Sequence, residues 1–573
     1  MSVNNNEIAD IFSRYADLLE IEDANPFRVR AYRNAARFIS DYPKSMAALL
    51  STGENLDELP TIGKDLASRI STIVETGTLP ELESTRAKTP ATLVELLQIE
   101  GLGPKRVRTL HCELGISNID DLKRALRRGS IRALRGFGVK TEQRIREALA
   151  EIGGMQQRIP LIRAEAAAKP LLDYLAANPA TQQVTIAGSY RRRRETVGDL
   201  DILVTAESGK NITGYLSAYE DIEEILALGQ TRARLRLRSR IIVDLRVVPP
   251  SSYGAALNYF TGSRNHAIAM RKRAIARGLK LNEYGLFKGD RPIAGDTEKD
   301  LYGALSLPYI EPELRENTGE LEAAEQHKLP HLVALKDIRG DLHCHTNASD
   351  GHDSVQELAN AARKKGYEYL SINDHSQRVT VAHGLDKKRL LDQIRSIDKL
   401  NEKLDGITLL KSTEVDILED GSLDLPDAVL RELDFTVCAI HSKFHLPEVK
   451  QTERILRAMD NRCFNILAHP HGRLINRRRP YLINLEVVMR GALERGCYLE
   501  VNAHPERLDL NGEGCRLARD LRLKVAISTD SHRIADLEYM RFGLDQARRG
   551  WLEKQDVLNT RPLEELRQLL ARH

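Results

Sequence analysis

Asp199-Leu200-Asp201 sets two carboxylates at a spacing suited to metal-assisted chemistry. Side chains alternate faces along a strand, so Asp199 and Asp201 share one face while Leu200, Ile202 and Val204 turn toward a core. Left alone, two such groups repel and raise a pKa. Two divalent ions about 3.5-4 Å apart convert that repulsion into binding and can hold both oxygens of an in-line phosphoryl displacement. Asp244, inside the apolar run Ile241-Ile242-Val243-Asp244-Leu245-Arg246-Val247-Val248, supplies a third ligand from a neighbouring strand. Asp-x-Asp by itself also fits a solvated strand edge or a turn, so the context decides. Upstream, Gly188-Ser189-Tyr190-Arg191-Arg192-Arg193-Arg194 offers a close-approach glycine, a hydroxyl and guanidiniums of the kind that clamp a triphosphate.

A second concentration of chemistry lies near the carboxy terminus, where 12 of the 16 histidines fall from His343 onward. They sit at the ends of short apolar runs: Asp341-Leu342-His343-Cys344-His345, Ser349-Asp350-Gly351, Ile372-Asn373-Asp374-His375, Ser412-Thr413-Glu414-Val415-Asp416, Ala439-Ile440-His441, Leu467-Ala468-His469 and Ile527-Ser528-Thr529-Asp530-Ser531-His532. Histidine and carboxylate ligands without thiolates suit zinc, manganese or iron. The runs alternate with amphipathic stretches at 354-366, 387-404 and 484-496. Strand-helix repetition with polar residues at the strand C-ends predicts a parallel barrel whose chemistry sits at one mouth.

The elements that must position these groups form several domains, because 573 residues exceed what a single core usually covers. No apolar stretch approaches the roughly 18 residues a membrane span needs, and a cytoplasmic protein is expected. The six cysteines include no C-x-x-C, which argues against a disulfide framework or thiolate zinc site. Net charge is +3, yet residues 101-300 carry 35 Lys+Arg against 22 Asp+Glu. Such a basic region attracts nucleic acid through counterion release. Thr231-Arg232-Ala233-Arg234-Leu235-Arg236-Leu237-Arg238, as a strand, aligns four arginines on one face beside the aspartates, where they can follow a primer or template backbone. Residues 7-50 read as helices, with Ile8, Ile11, Phe12, Tyr15, Leu18 and Leu19 at helical spacing. Three glycine-centred turns follow, around Gly63-Lys64, Gly101/Gly103-Lys105 and Gly136/Gly138-Lys140. Each opens a helix and leaves amide N-H groups and a lysine for a phosphate oxygen. Residues 306-335, acidic and with prolines at 308, 312 and 330, read as a linker that packs in part on the preceding subdomain.

Gly188-Ser189-Tyr190-Arg191-Arg192 followed by Gly198-Asp199-Leu200-Asp201 resembles the nucleotidyltransferase signature of the family X DNA polymerases. Tyr259-Phe260-Thr261-Gly262-Ser263 resembles that family's nucleotide-selecting segment at the palm-thumb junction, and the three early turns resemble helix-hairpin-helix elements. The histidine series resembles the polymerase-and-histidinol-phosphatase (PHP) domain. The resemblance implies a multidomain α+β and α/β fold: helical helix-hairpin-helix DNA-binding domain (1-150), nucleotidyltransferase palm (151-250), thumb (251-315), linker (316-335) and distorted (β/α)7 PHP barrel (336-573). It implies catalysis by Asp199, Asp201 and Asp244 with Mg2+ or Mn2+. Nucleotide contacts fall to Gly188, Ser189, Arg192, Gly198, Tyr259, Phe260, Gly262 and Arg158. DNA contacts fall to Gly63, Lys64, Gly101, Gly103, Lys105, Gly136, Gly138, Lys140 and Arg271. A PHP site of three Zn2+, Mn2+ or Fe2+ ions would be held by His343, His345, Asp350, His375, Glu414, His441, His469, Asp530 and His532, with Glu414 bridging. His352, His383, His445, His471 and His504 match no ligand position.

Two departures stand out. Ala267 replaces the family's usual asparagine, which removes a side-chain contact to the nucleotide. Arg69 stands where polymerase beta carries a lysine that forms a Schiff base with 5′ deoxyribose phosphate. A guanidinium stays protonated and is a poor nucleophile, so lyase activity by that route is expected to be weak or absent, with Lys64 as a substitute. The expected function is gap-filling DNA synthesis by a monomer acting on gapped or primer-template DNA and deoxynucleoside triphosphates. The barrel would add 3′-5′ exonuclease or 3′-end cleaning and abasic-site incision. The alternatives are a small-molecule phosphatase with accessory DNA-binding domains, and a DNA scaffold with a decayed polymerase site.

Overall fold

The computed structural model describes residues 5-22, 24-41, 46-51, 54-88, 92-97, 99, 102-134, 136-154 and 158-572. Two compact units meet in sequence between Gln157 and Arg158.

The first unit is helical. Helices α1 (Asn5–Ile21) and α2 (Pro26–Asp41) bury Ile8, Phe12, Tyr15 and Leu18. Helices α3 (Lys64–Thr76), α4 (Pro104–Leu114) and α5 (Val139–Gly154) each begin directly after a glycine. The three entrances repeat one geometry. Ile62, Leu102 and Phe137 are buried, and their amides bond the carbonyls of Leu59, Ile99 and Leu134 at 3.1, 2.9 and 3.0 Å. Gly63 and Gly103 have nearly equal backbone angles, φ −88°, ψ 172° and φ −87°, ψ 172°, with no side chain capping the helix behind them. A buried apolar anchor thus fixes each turn and leaves its first amides bare.

The second unit opens with a five-stranded sheet: β1 (Gln183–Ile186), β2 (Asp199–Thr205), β3 (Ile222–Leu228), β4 (Arg232–Leu237) and β5 (Ile242–Val248), in the order β1-β2-β5-β4-β3. Alternation works as the sequence dictates: Leu200, Ile202 and Val204 bury on one face with Val243, Leu245 and Val247. On the other face Leu203 and Val248 lie beneath Ala256 and Leu257 of α6 (Tyr253–Thr261). Asp199 and Asp201, on the face of Leu203, therefore sit where the strand emerges from under that helix. After α6 the chain turns at Gly262, where φ is 67°, and continues as α7 (Arg264–Ala276) and a three-stranded meander. The Tyr259-Gly262 segment is thus a helix end and turn.

The acidic segment differs from a linker. Leu307, Ile310, Leu314, Leu321 and Ala324 enter a core with Met270, Leu301 and Trp551. Its charges are inward: Arg315 is fully buried against Glu298 at 2.5 Å, and Glu320 accepts from buried His266 at 2.6 Å. Its acids meet basic partners far along the chain, so its composition reads as solvated while its pairing is internal.

The remainder is a parallel barrel of β6 (Gly340–Asp341), β7 (Tyr369–Ile372), β8 (Thr408–Lys411), β9 (Glu414–Asp416), β10 (Val437–Ala439), β11 (Ile466–Leu467), β12 (Tyr498–Asn502) and β13 (Val525–Ser528). Neighbours pair in parallel within two sheets. Parallel bridges His375-Glu414 and Cys344-Ser531 join the two sheets and close the ring. Since β8 and β9 form one strand broken at Ser412-Thr413, the ring has seven strands. Helices Val355–Lys364, Lys387–Asn401 and Leu485–Arg495 lie between them, each begun by a capping Ser354, Asp386 or Asn484. The barrel packs directly on the palm-like sheet, because Leu508 and Phe542 belong to that sheet's core. Glu165 joins Arg541 of the barrel at 2.5 Å across this contact and also meets Arg193 of its own domain at 3.0 Å.

Candidate functional sites

In the first site β2 and β5 pair in parallel with Asp201 directly beside Asp244, so the two carboxylates leave the sheet on one face, with Asp199 two residues earlier. Burial, reinforced by Asp199 and Asp244, pushes Asp201 up to about 7; burial and then Asp244 raise Asp199. Burial of neighbouring carboxylates beside a third disfavours their charged forms in this way. The oxygens of Asp244 meet Arg232 at 3.4 Å and Arg234 at 3.6 Å. Among the described residues, groups of three or more potential ligands whose atoms all approach within 4.8 Å of one another lie only in the barrel, so the palm trio is more widely spaced than these. A cavity of about 140 Å³ beside the trio is lined by Asp201, Asp244, Arg232, Arg246 and Phe260.

Gly188 sits at φ 62° with no room for a side chain, since a Cβ there would stand 1.9 Å from Asp201 Oδ2. It begins the single turn Gly188–Arg191, which carries Ser189. Gly198 directly precedes Asp199. Arg158 bonds Thr196, at 3.0 Å to the hydroxyl and 2.5 Å to the carbonyl. The four consecutive arginines separate sharply. Arg191 forms a two-pronged pair with Glu298 at 2.9 and 2.7 Å, and Arg193 reaches Glu165. Arg192 bonds Glu316 at 3.2 Å and the Thr261 carbonyl, which ties it to the Gly262 turn. Arg194 is the exposed one. Arg246 lies over Phe260 and Arg271 over Tyr259, with the two rings edge to face. Ala267 is buried on α7. Arg232 and Arg234 face the aspartates, Arg236 pairs with Glu224, and Arg238 lies past the strand end.

In the barrel the nine expected residues converge. His345, Asp350, His375 and His532 form one group, His343, His345 and Asp530 a second, and His375, Glu414 and His441 a third. His469 joins through Nε2, 3.0 Å from Glu414 Oε1. His345 and His375 are each shared by two groups, so the cluster is continuous. Its donors fit metal rather than proton sharing. His343 and His345 aim Nε2 at Nε2 across 3.1 Å. His375 Nδ1 lies 2.7 Å from Glu414 Oε2 but off hydrogen-bond geometry. Buried nitrogens of His345, His441 and His469 have no hydrogen-bond partner. Against the opposing effect of burial, Glu500, Asp530 and Glu414 hold His343 well above the usual imidazole range. Burial, followed by His532 and His375, lowers His345.

Glu500, Asp374 and Arg507 are functional neighbours that the histidine pattern alone does not reveal. Glu500 accepts from His343 at 2.8 Å and from the His469 amide at 2.7 Å, fixing two of these histidines at once. Its one sequence signal is an acid inside the apolar strand Tyr498–Asn502. Asp374 gathers Thr346, Ser349 and Gln393, and Arg507 meets Asp530 at 3.2 Å.

In the first unit Gly63, Lys64, Gly103, Lys105, Gly136, Gly138 and Lys140 are all exposed, as a phosphate-facing turn requires, save that Gly101 lies outside the described residues. Arg69 is held by Asp65 and by Glu81 at 2.9 Å, beneath the Tyr32 ring. No helix among the described residues is long and apolar enough to cross a membrane. All six cysteines are free.

A sheet carrying paired aspartates on one unit with a histidine-lined parallel barrel defines a nucleotidyltransferase joined to a metal-dependent hydrolase. Comparison with known families agrees in every part. Residues 3–79 match the helix-hairpin-helix domain, 93–151 the SAM-like helix-hairpin-helix tandem, 158–249 the DNA polymerase beta palm, 256–316 the DNA polymerase beta thumb and 341–504 the PHP domain. Over 574 residues, 99% of both chains, the sequence is 36% identical to the DNA polymerase/3′-5′ exonuclease PolX of Bacillus subtilis. It is 30% identical over 233 residues to a probable phosphatase of Thermoanaerobacter sp., covering 38% of this chain and 89% of that one. A probable phosphatase of Acetivibrio thermocellus is 31% identical over 202 residues, 34% of this chain and 78% of that one. The chain belongs to the PolX family of bacterial family X DNA polymerases with a PHP domain, both of whose parent families are metal-dependent.

Proposed function

We propose that the protein fills short gaps in DNA during base-excision-type repair and trims 3′ ends with its barrel. The register that sets Asp201 beside Asp244, with Gly188 folded onto Asp201, carries this assignment. Asp199 and Asp201 would hold two Mg2+ or Mn2+ ions, with Asp244 as a further ligand on the side of the primer 3′-OH. Ser189, Arg192, Gly198 and the Gly188 turn contact the triphosphate, with Arg158 supporting through Thr196. Arg192 must exchange part of its bonding to Glu316 for phosphate. Tyr259, Phe260 and Gly262 line the nucleotide, and Arg271 supports Tyr259 on the DNA side. The three glycine turns of residues 1-150 grip DNA backbone. Palm, thumb and barrel correspond to 151-250, 251-315 and 336-573.

In the barrel, His343, His345, Asp350, His375, Glu414, His441, His469, Asp530 and His532 would hold three ions of Zn2+, Mn2+ or Fe2+, with Glu414 contributing as a shared ligand. When bound, the ions at both sites neutralise phosphoryl charge and, in the barrel, supply a hydroxide nucleophile at neutral pH. The residues deliver the rest: Glu500 fixes His343 and His469, and 3′-5′ exonuclease, 3′-end cleaning or abasic-site incision follows from a terminus entering the mouth. The working form is a cytoplasmic monomer.

A gapped-duplex assay tests both centres. Asp199→Ala with Asp201→Ala should abolish extension yet keep DNA binding and excision. His343→Ala with His345→Ala should abolish excision and lower the metal content, measured by mass spectrometry, while extension persists. Extension undiminished in the first variant refutes the palm assignment. The two probable phosphatases among the relatives favour one alternative, a small-molecule phosphatase with accessory DNA-binding domains. Turnover of histidinol phosphate faster than of DNA ends would establish it.

A further inference from the structure

We propose that Arg478, beside Tyr481 and Arg507 at the rim of the barrel mouth, is a phosphate subsite that grips the internucleotide phosphate next to the scissile one when a DNA 3′ end enters, an inference that rests on the barrel's assignment to 3′-end hydrolysis.

Arg478 is a half-buried cation without an acid of its own. Burial and then the neighbouring Arg507 lower its affinity for a proton, and among the described residues no carboxylate offsets them. The other arginines of this rim differ: Arg473 pairs with Glu195 at 2.7 Å, and Arg507 meets Asp530 at 3.2 Å. The Arg478 side chain bonds through Nε, to the Gly472 carbonyl at 2.8 Å, which leaves both Nη groups for another acceptor. Its plane lies over the Phe444 ring at 4.4 Å, and Phe444 stacks on Tyr481 with centroids 6.0 Å apart and planes inclined by 17°. Tyr481 gives a second, independent sign of a ligand. It is 4% exposed, yet its hydroxyl has no hydrogen-bond partner and lies in the field of Arg478 and Arg507. Burying a polar group without a partner is costly, and a phosphate brings the acceptors that the guanidinium and the hydroxyl both lack.

Gly472 ties this group to the metal-ligand cluster. Its amide bonds the His469 carbonyl at 2.7 Å, and the Tyr481 and Phe444 rings close over its α-carbon, where a Cβ would meet them at 2.5 and 3.6 Å. Arg478 Nε therefore lies within about 9 Å of the His469 carbonyl, outside the cluster but a short step along an entering DNA strand. Phe444 likewise follows His441 by three residues. The loop is held at both ends. Leu474 and Arg478 exchange backbone bonds of 2.9 and 2.8 Å, and Asn476 at the tip donates Nδ2 to the Arg158 carbonyl at 2.8 Å. A guanidinium fixed in this way has little freedom left to lose on binding, and its planar fork matches phosphate.

A cycle between enzyme and substrate provides the test. Full-length wild type, Arg478→Gln and Arg478→Lys are loaded with Mn2+ and given single-stranded oligonucleotides whose linkage next to the scissile one is either phosphate or neutral methylphosphonate. KM and kcat are measured for release of the 3′ nucleotide, and metal content by mass spectrometry. On the phosphate strand Arg478→Gln should raise KM about tenfold with kcat and metal content close to wild type, and Arg478→Lys should recover part of the loss. Methylphosphonate should raise the wild-type KM about as much, and Arg478→Gln should then add less than about twofold. A KM within about twofold of wild type on the phosphate strand overturns the proposal. So does an equal loss on both strands, which would mark a structural role. Inorganic phosphate, the other source of the same chemistry, is added as an inhibitor of excision. Equal inhibition constants in wild type and Arg478→Gln support the flanking position, whereas a constant weakened as much as KM would put Arg478 on the scissile or a free phosphate and overturn it. A wild type that shortens neither strand refutes the reading of the barrel itself, and the two failures are thereby told apart.

Discussion

Gly188→Ala isolates the palm geometry in a single methyl group. The new Cβ would lie 1.9 Å from Asp201 Oδ2 and 2.9 Å from its Cγ. Ordinary van der Waals contact requires the carboxylate oxygen to retreat by about 1.5 Å. The obstructing atom is the far end of a side chain, so the fold can yield at modest cost: alanine at φ 62° loses about 1-2 kcal/mol to left-handed strain. A melting point lowered by only a few degrees is expected for that loss. Catalysis should suffer far more, because a displacement of about 1 Å at a reacting centre can lower rates about 100-fold. The assay is single-nucleotide incorporation into a gapped duplex, with hydrolysis of bis(p-nitrophenyl) phosphate as an internal control for folding. Extension should fall about 100-fold while hydrolysis stays constant. Incorporation within about threefold of wild type would show that Asp201 need not occupy this position and would refute the reasoning.

Other outcomes follow from the same structure. Burial pushes Asp545, at the palm-barrel contact, up to about 7. A carboxyl whose folded pKa exceeds its unfolded value stabilises fully at low pH and loses that contribution as pH rises through about 7. Asp545→Asn should therefore match the wild-type melting temperature only below about pH 4 and exceed it by a margin that grows up to about pH 7 and then levels off, by calorimetry; no difference at about pH 8.5 would count against the shift. Arg315→Met should cost about 3 kcal/mol or more in urea unfolding, since it leaves Glu298 buried beside Arg191 alone. Glu298 itself is held down to about 2, where Arg315 and Arg191 outweigh burial. Its stabilising contribution is present above the usual carboxylate range and disappears as pH falls toward about 2. Borohydride should trap little protein on a nicked abasic substrate, and Arg69→Lys should raise the yield; efficient trapping that vanishes in the Arg69 variant would contradict the loss of the amine.

Local patterns were legible where one periodicity controlled them. Alternation placed Asp199 and Asp201 together, and the runs ending in histidine or carboxylate foretold strands whose C-ends share a mouth. The three glycine turns were legible because each carries its own buried anchor within a few residues. The four arginines Arg191-Arg194 were not separable, since what distinguishes them is Glu298, Glu316 and Glu165, which stand far away in the chain. The acidic stretch after Ser306 looked like a linker because its hydrogen-bonding partners, His266, Arg192 and Arg548, are likewise remote.

Sequence by itself determined the chemistry available: three palm aspartates, nine histidine and carboxylate side chains at one mouth of the barrel, an arginine where a lysine would react, and the order of the parts. Residue type and short-range period suffice for that, because a strand or a turn is specified within about ten residues. Only the tertiary structure decided how the groups are held. It revealed Glu500 orienting two histidines, Gly188 pressed on Asp201, and a loop of the barrel reaching the palm at Arg158. Those relations depend on contacts between segments from 13 to 318 residues apart, which packing fixes and local pattern does not encode.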